Sequence, residues 1–580
     1  MTAAVDTRLD GLGTGAAPLL PALLPALLEA LLREDALGLR SRATVVERPD
    51  GAWLRLPTPD GAGLLVPVVR GALLADWGVR DRPVLRADTL APLTGAADVL
   101  ARLAPADDPE AAAGLDALQQ EHADAADAEA ALPPGPGPGG LGRGLSGALA
   151  LDALAARRRH PLYPTSAART GLSACDLRRY APEHAPRFPL HWVALPLDAL
   201  TCSGTFPLGL PSCSDVGLDP GYDATHLALP VHPCTAGGPL LDAVDRVGLA
   251  ARAVLAPRTL LDVVPTLSMR TVALAEQPDL HLKLPLVVST LGRLNRRSLT
   301  PAALADGAAV QQLLDDLVAA DPGLRGRLLH ADESTWAHAG SDLLAVLVRR
   351  WPAGLARARV VPVAALPARL ADGRTVAQHL ADEHCGGGLR ALLEQYLALL
   401  VDVHVRLWLV HGVALEAHQQ NTALVLDRAD GGLRLQLLLK DDDGPRLDRG
   451  LLAASRGGAP EPVLQDARTW ARDPLELCEV VTTITLHLCA AAVVLGVTQD
   501  DDATRRHLLA VLRRELEQAA ERYADRRDVG LLRSRVLAAD RLPVKGMLTA
   551  GTLLPKTRTA ARDVNKHYAG TGPSYLPRRA

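Results

Sequence analysis

The sequence predicts an α+β protein that is divided into two or three domains. Its 580 residues are too many for one hydrophobic core, and 48% of them are hydrophobic, which is enough to fill several cores. Windows with helical periodicity and windows with strand-like alternation both occur along the chain. The run Pro133–Gly140 is rich in proline and glycine and continues through Gly142 and Gly144. We therefore expect a linker or a long exposed loop there.

The predicted domain boundaries lie at this run and near residue 380, where a long helical pattern begins. The domains are expected over residues 1–150, 151–380 and 381–580. The predicted helices are Leu19–Arg33, Ala97–Leu103, Pro109–Ala131, Leu389–Trp408, Pro474–Val494 and Ala503–Arg522. The predicted strands are Ala52–Leu56, Gly63–Val69, His191–Leu197, Thr271–Leu274, Leu282–Val288, Thr422–Leu426 and Leu433–Leu439.

Charge and cysteine content exclude several classes of protein. The formal net charge is −4, and basic and acidic residues are interleaved, which argues against a nucleic-acid-binding protein. The seven cysteines include no C-x-x-C pair, so we expect no disulfide framework or zinc site and a reducing cytoplasm. The apolar segment Ala17–Leu32 contains three prolines and Glu29, and it lacks a basic leader. It is also shorter than the ~20 residues of a membrane helix, so a buried amphipathic helix without a membrane partner is expected.

The most specific stretch runs from His411 to Asn421 and reads HGVALEAHQQN. It lies between the long helix and a predicted hairpin, which would bring His418 and Asn421 close to Asp441. Magnesium in nucleotide sites takes one or two protein oxygens and completes its shell with phosphate and water. We therefore predict that Asn421 and Asp441 bind Mg²⁺ together with a nucleotide. The competing interpretation is a helix cap with a solvated acidic turn, although a polar cluster this dense is costly to bury without a role.

A second stretch, Pro265–Thr271, reads PTLSMRT and is followed by three polar residues, Lys283, Thr290 and Arg293. Substrates with several anionic groups need fixed guanidinium and ammonium donors. Cations spaced along adjacent strands can point into one pocket. Taken alone, the pattern is equally typical of solvated charges at strand ends.

Two shorter stretches complete the set. His160–Pro164 reads HPLYP, and its two prolines fix a loop in which hydroxyls of the following residues could donate to phosphate. Lys545 lies in the apolar run LPVKGML near the C-terminus. A lone lysine in such a run more often extends its ammonium group to water than takes part in catalysis.

Together, in this order and spacing, the four stretches resemble the NRPS-independent siderophore (NIS) synthetases, the IucA/IucC family. The resemblance spans residue 160 to about residue 566, and Glu416–Asn421 is its most specific part. It implies a cupped-hand fold of thumb, fingers and palm domains with a kinase-like palm. It also implies an enzyme that uses ATP and Mg²⁺ to adenylate a carboxylate such as citrate, and then passes the acyl group to an amine or hydroxyl. Family members are expected to be homodimers.

The resemblance also implies roles for single residues. Those expected to act in catalysis are Arg270, Arg293, His418 and Lys545. Those expected to bind the nucleotide are His160, Thr165, Ser166, Arg169, Ser268, Arg270, Lys283, Gln420, Asn421 and Asp441.

This chain departs from the family pattern at three positions. Tyr163 stands for a histidine, Ala167 for a lysine and Lys440 for an arginine. Tyr163 retains a hydroxyl donor, and Lys440 retains charge without the bidentate fork. The cation missing at Ala167 could be replaced by a nearby arginine, for which the candidates are Arg157, Arg158, Arg159 and Arg169. Of these, Arg169 is preferred because it matches the family's own arginine.

Two other functions stay open. Small-molecule kinases also place a His-x-x-Asn block about twenty residues before a metal-binding aspartate, but no glycine-rich loop precedes it here. A catalytically inactive scaffold is the second alternative, and it is supported only by Tyr163 and Ala167.

Overall fold

The computed structural model describes residues 23–577, except residues 94, 138, 140, 204–209, 430–431, 443 and 562–565. The fold is mixed α/β. The N-terminal part consists of an antiparallel sheet in the order β1-β2-β3-β4, with β5 paired to β3, and three helices. These elements are α1 (Leu23–Arg33), β1 (Thr44–Arg48), β2 (Gly51–Leu56), β3 (Leu64–Ala72), β4 (Ala75–Val79), β5 (Leu85–Arg86), α2 (Ala96–Leu103) and α3 (Pro109–Ala130).

The middle part is built on a sheet of nine strands. Its order is β10-β7-β11-β12-β13-β17-β16-β8, with β9 also paired to β7. The elements are α4 (Gly144–Ala156), β6 (Arg169–Thr170), α5 (Ala174–Tyr180), β7 (Phe188–Pro196), β8 (Thr201–Ser203), β9 (His226–Val231), α6 (Gly238–Arg246), β10 (Val254–Leu255), β11 (Leu260–Pro265), β12 (Thr271–Leu274), β13 (Leu280–Lys283), β14 (Ser289–Thr290), α7 (Pro301–Ala320), β15 (Leu328–His330), β16 (Asp332–His338) and β17 (Ala345–Arg350).

The last part packs helices against a four-stranded sheet in the order β15-β21-β20-β18. Three helical runs in it are π-helical, Val481–Ala491, Leu532–Leu537 and Thr549–Leu553. The other elements are β18 (Arg359–Pro362), α8 (Val376–Cys385), α9 (Leu389–His411), β19 (Val413–Ala414), β20 (Thr422–Ala429), β21 (Gly432–Leu439), β22 (Arg446–Leu447), α10 (Arg449–Ser455), α11 (Pro474–Val480), α12 (Ala492–Val497), α13 (Asp502–Arg522), α14 (Val529–Leu531), β23 (Arg541–Lys545), α15 (Lys556–Thr559) and β24 (Tyr568–Pro573).

The N-terminal core is completed by residues from the far end of the chain. Leucines of α1 and of the first sheet pack with Leu542, Leu548 and Leu553 in one buried cluster. Glu34, after α1, accepts hydrogen bonds from the backbone nitrogens of Leu548 (2.8 Å) and Thr549 (2.9 Å). The strand pair β23–β24 and the turn after it are therefore fixed to the N-terminal sheet.

The predicted elements are largely confirmed. The long helix is α9, and the two strands after it form the antiparallel hairpin β20–β21, in which Thr422 pairs with Leu439. The helix predicted from Leu19 is seen from Leu23 onwards, and its first four residues lie outside the described part of the chain.

Two predictions of local structure are wrong. The strand predicted over Leu282–Val288 ends at Lys283, because Pro285 has no N–H to donate to a neighbouring strand. The proline- and glycine-rich run was expected to stay irregular through Gly144, but α4 begins at that residue.

Among the residues that the structure describes, one helical run is long and apolar enough to cross a membrane. Pro474–Val497 has a mean hydropathy of 2.2, and 89% of its most apolar window is buried inside the protein. A core helix of a globular domain has the same properties. Its residues belong to the largest buried cluster, together with those of α9 and α13.

A buried histidine makes stability depend on pH. His404 in α9 is 2% exposed, and burial lowers its pKa to about 4. A histidine in the unfolded chain titrates near pH ~6.5, so stability is present above that pH and is lost as the pH falls towards 4. We expect His404→Gln to flatten this loss by up to about 1.4 kcal/mol per pH unit.

The measurement is thermal unfolding at pH 7, 6 and 5, with His191→Gln at an exposed strand position as the control. Equal pH slopes in the parent and in His404→Gln would contradict the prediction.

Candidate functional site

Most of the predicted site residues surround one cavity of about 260 Å³. The cavity lies between the loop after α4, the turn before β12, the segment after β14 and the start of the hairpin β20–β21. The predicted residues that line it are His160, Ser166, Arg169, Ser268, Arg270, His418, Gln420, Asn421 and Asp441.

The hairpin brings Asn421 and Asp441 to the same end of the cavity, as expected. The Lys440 backbone nitrogen donates to the Asn421 carbonyl at 3.0 Å, immediately after the last strand pair. The side-chain nitrogen Nδ2 of Asn421 donates to the Glu416 carbonyl at 3.2 Å. The side-chain oxygen Oδ1 of Asn421 is therefore the atom that can bind a metal ion.

Asp441 is held ionised by surrounding cations. Burial by itself would raise its pKa, but the positive charges of Lys283, Arg349 and Arg270 outweigh burial and hold that pKa well below its usual range. Its carboxylate bonds to the Lys283 ammonium group. An ionised carboxylate beside an amide oxygen fits Mg²⁺, which needs few protein ligands when phosphate and water supply the rest. No group of three or more His, Cys, Asp or Glu side chains arranged for a metal ion occurs in the described part of the chain.

A second ion pair, between Arg349 and Glu333, lies next to the pair Lys283–Asp441. Arg349 and Glu333 are bonded to each other, and each is no more than 2% exposed. The Asp441 backbone nitrogen donates to the same Glu333 carboxylate at 3.0 Å. Glu333 therefore fixes the backbone at Asp441, while Arg349 adds positive charge beneath it.

The two histidines of the cavity are neutral at physiological pH. Burial, with smaller contributions from the neighbouring His418 and Lys545, lowers the pKa of His160 to about 3. Burial and the nearby Lys545 charge lower the pKa of His418 to about 4. Neutral imidazoles can accept protons and hydrogen bonds, so His418 has the protonation state that a general base requires.

The turn before β12 orients Ser268 and Arg270. The Ser268 hydroxyl accepts from the Thr271 backbone nitrogen at 3.1 Å, and the Arg270 Nη1 donates to the Ser298 carbonyl at 2.6 Å. Met269 between them has a φ of 63° and is buried, so the backbone turns sharply at this point. Both polar side chains consequently border the cavity.

The loop after α4 uses its polar side chains in two ways. The Ser166 hydroxyl accepts from the His160 backbone nitrogen at 2.8 Å, which closes the loop. Arg169 borders the cavity, but its guanidinium forms a bidentate ion pair with Glu183, at 2.6 and 2.8 Å. Thr165 is fully buried and donates to Glu121 at 2.7 Å, so its side chain does not line the cavity.

Tyr163, the residue that replaces the second histidine, is also fully buried. Its hydroxyl lies 2.9 Å from the Thr552 hydroxyl, which in turn donates to Glu121 at 2.7 Å. Burial raises the pKa of the Glu121 carboxyl. Tyr163 therefore joins the loop to the C-terminal segment and does not reach into the cavity.

Three other predicted residues lie outside the cavity wall. Lys283 lies behind Asp441, to which its ammonium group bonds. Lys545 is 2% exposed in β23, close enough to the two histidines to lower their pKa values. Arg293 is exposed, and another arginine of the same segment, Arg297, lines the cavity instead.

Four charged residues of the cavity wall were not among the predicted site residues: Arg158, Arg159, Arg297 and Glu416. Glu416 stands inside the quoted motif and pairs with Lys566 at 2.5 Å. Arg158 was among four candidate arginines, of which Arg169 was preferred. Arg297 gave no signal, since it lies in an irregular segment whose path cannot be read from residue spacing.

Comparisons with known proteins agree with this fold. A model of the IucA / IucC family matches residues 149–368, and a model described as ferric iron reductase FhuF-like transporter matches residues 390–565. Staphyloferrin B synthase of Staphylococcus aureus is 25% identical over 338 residues, which cover 54% of this chain and 57% of that protein. The chain spans between 52% and 64% of the length of the curated relatives it matches.

Solved structures share the fold along nearly the whole chain. The petrobactin biosynthesis protein AsbB of Bacillus anthracis superposes with a TM-score of 0.76 at 18% identity, covering 96% of this chain and 94% of that one. The ATP-bound aerobactin synthetase IucA of Klebsiella pneumoniae gives a TM-score of 0.67 at 17% identity, covering 92% and 99%.

The fold is therefore that of the siderophore synthetases, with its cation-lined cavity between the nine-stranded sheet and the hairpin. Residues 149–368 match the IucA/IucC family, and the motifs of the sequence show the same resemblance to NRPS-independent siderophore synthetases.

The pair Lys283–Asp441 offers a test of this electrostatic arrangement. Removing one partner of a buried pair costs about 3–5 kcal/mol, because it leaves an uncompensated charge. We expect Lys283→Met to lower the melting temperature strongly, and the double variant Lys283→Met/Asp441→Asn to recover part of the loss. A double variant less stable than Lys283→Met in thermal unfolding would show that the two charges do not compensate each other.

Proposed function

We propose that this protein is an ATP-dependent siderophore synthetase that adenylates a carboxylate and condenses it with an amine or a hydroxyl. The observation that carries the proposal is the cavity in which the Asn421–Asp441 pair, several arginines and a neutral His418 meet. The match of residues 149–368 to the IucA/IucC family and the similarity to staphyloferrin B synthase support the same function.

We further propose that the thumb, fingers and kinase-like palm of a cupped hand correspond to residues 1–150, 151–380 and 381–580. The separate hydrophobic clusters of the N-terminal sheet, the nine-stranded sheet and the last helices support this division. Residues 542–561 pack on the N-terminal core, so the C-terminal end of the palm would join palm to thumb.

In this proposal Asn421 and Asp441 would hold Mg²⁺ against the phosphates of ATP. The metal, when bound, neutralises charge on the departing pyrophosphate. Arg270 and Arg297 border the same cavity and supply further positive charge to anionic groups. Glu416 forms an ion pair with Lys566, and this pairing would reduce the negative charge that Glu416 presents to the ligand.

The reaction then divides into two steps. The carboxylate oxygen attacks the α-phosphate, which forms an acyl-adenylate and releases pyrophosphate. An amine or hydroxyl next attacks the acyl carbon and displaces AMP. His418, neutral because of burial and the Lys545 charge, would accept the proton that the nucleophile loses. Holding three partners in line is mainly a positioning task.

We also propose a homodimer that acts in the cytoplasm on small molecules, without nucleic-acid or membrane partners. The interleaved charges and the burial of the apolar helical run Pro474–Val497 support the last two points. Light scattering of the purified chain measures the oligomeric state.

The proposed chemistry is tested by product analysis with a panel of carboxylates. We expect the parent to form AMP and pyrophosphate, and both Asn421→Ala and Asp441→Ala to lose this activity at a temperature where circular dichroism shows each variant folded; Asp441→Ala should also melt lower, because it removes the carboxylate that bonds to Lys283. A kinase would release ADP, and a scaffold would release neither product. AMP formation at the parent rate in either variant would remove the proposed magnesium site.

Three arginine variants test which arginines near the cavity contact the anionic ligands. Arg270→Lys should raise KM for ATP or for the carboxylate about tenfold or more, because one ammonium cannot reproduce a bidentate guanidinium contact. Arg297→Ala should cost more than Arg293→Ala, since Arg297 lines the cavity and Arg293 is exposed. Steady-state kinetics decide the matter, and a larger loss in Arg293→Ala would show that the family role belongs to Arg293.

A further inference from the structure

The loop after α4 contains four arginines, and their partners differ. Arg159 forms a bidentate ion pair with Glu129, with both contacts at 2.6 Å. Arg169 is paired in the same way with Glu183. These two guanidinium groups are neutralised by carboxylates, so neither contributes a full positive charge to a ligand.

The other two arginines have no carboxylate partner among the residues that the structure describes. Arg157 bonds to the Pro133 carbonyl and borders only the outer crevices of the loop. Arg158 borders the central cavity, and its Nη1 donates to the Ala364 carbonyl at 3.3 Å. Arg158 is thus the arginine of this loop that brings uncompensated charge to the cavity.

The surroundings of Arg158 hold it in place. A side chain at Gly496 would meet Arg158 Nη2 at 3.2 Å and Pro367 at 2.8 Å, so the guanidinium is confined beside α12. Burial lowers the pKa of Arg158 to about 10, a consequence of burying a cation without a carboxylate beside it. A guanidinium has five N–H donors, and one long backbone contact satisfies few of them.

Arg158 also lies beside the position of the missing lysine. Ala167 borders a small crevice that Arg158 and Arg159 also line, and Arg158 borders the central cavity as well. A lysine ammonium group at position 167 and the guanidinium of Arg158 would therefore lie close to each other. Ala167 itself packs with apolar residues such as Leu23 and Ala125.

We propose that Arg158 binds a phosphate group of the nucleotide and supplies the positive charge that family members take from a lysine at position 167. This inference rests on the proposed function, because it names ATP as the ligand. It replaces Arg169 by Arg158 as the compensating cation, since Glu183 already holds Arg169.

The experiment is calorimetric titration of the full chain with Mg-ATP and, separately, with citrate. The variants are Arg158→Ala, Arg158→Lys and the control Arg157→Ala, whose side chain lies outside the central cavity. We expect Arg158→Ala to weaken ATP binding tenfold or more, Arg158→Lys to weaken it less, and Arg157→Ala to bind like the parent. The double variant Arg158→Ala/Ala167→Lys should regain most of the lost ATP affinity.

Several outcomes would overturn the inference. If the parent binds ATP and Arg158→Ala binds it equally well, Arg158 does not contact the nucleotide. Loss of citrate affinity with unchanged ATP affinity would assign Arg158 to the carboxylate instead. A double variant without any recovery would refute the equivalence with position 167.

The folded state is checked by melting temperature in each variant. If Arg158→Ala does not fold, Arg158→Gln, which keeps a polar side chain without the charge, carries the test, and parent-like ATP affinity there refutes the phosphate contact. A folded parent that binds no ATP would overturn the proposed function and this inference together, which distinguishes that result from failure of Arg158 alone.

Discussion

The structure depends on burying several charges beneath one cavity while keeping each of them paired. Moving an ion out of water costs several kcal/mol, and the cost is recovered only with close and well-oriented partners. Lys283 and Arg349 come from the paired strands β13 and β17, where Lys283 is opposite Leu347. Residues two apart on a strand share a face, so Arg349 and Lys283 point to the same side. The register of the nine-stranded sheet thus sets the positive charge that Asp441 requires.

The same constraint positions the hairpin on which the proposed metal ligands lie. Glu333 in β16 pairs with Arg349 and also accepts from the Asp441 backbone nitrogen. Asp441 has a φ of 72°, a left-handed conformation that aspartate tolerates better than most residues. Ionic contacts and this turn place Asp441 beside Asn421, so the site joins the nine-stranded sheet to the hairpin β20–β21 through Glu333 and Asp441, which are 108 residues apart in sequence. Selection for the site is therefore also selection for the packing of the two sheets.

Helices and hairpins with strong periodicity could be predicted from the sequence, and so could the meeting of Asn421 with Asp441, because a tight hairpin fixes its own ends. Side chains whose direction depends on tertiary partners could not. Arg169 and Thr165 looked equivalent to the cavity residues around them, yet Glu183 and Glu121 bind them. Arg293 was predicted to line the cavity, but Arg297 lines it instead. Both lie in an irregular segment after Pro285, where residue spacing does not indicate which way a side chain points.

The hydrogen bonds between Glu34 and the turn after β23 join residues 514 positions apart. A ribosome adding 5–20 residues per second needs roughly 25–100 s to travel that distance. Throughout that time the first sheet is outside the ribosome without the leucines that cover it. The nascent chain therefore presents part of this apolar surface until residues 542–553 have been made, and Lys545 reaches the histidines only then. Assembly of the pocket therefore follows synthesis of the segment from β23 to Leu553, and until then part of the apolar face of the first sheet is uncovered.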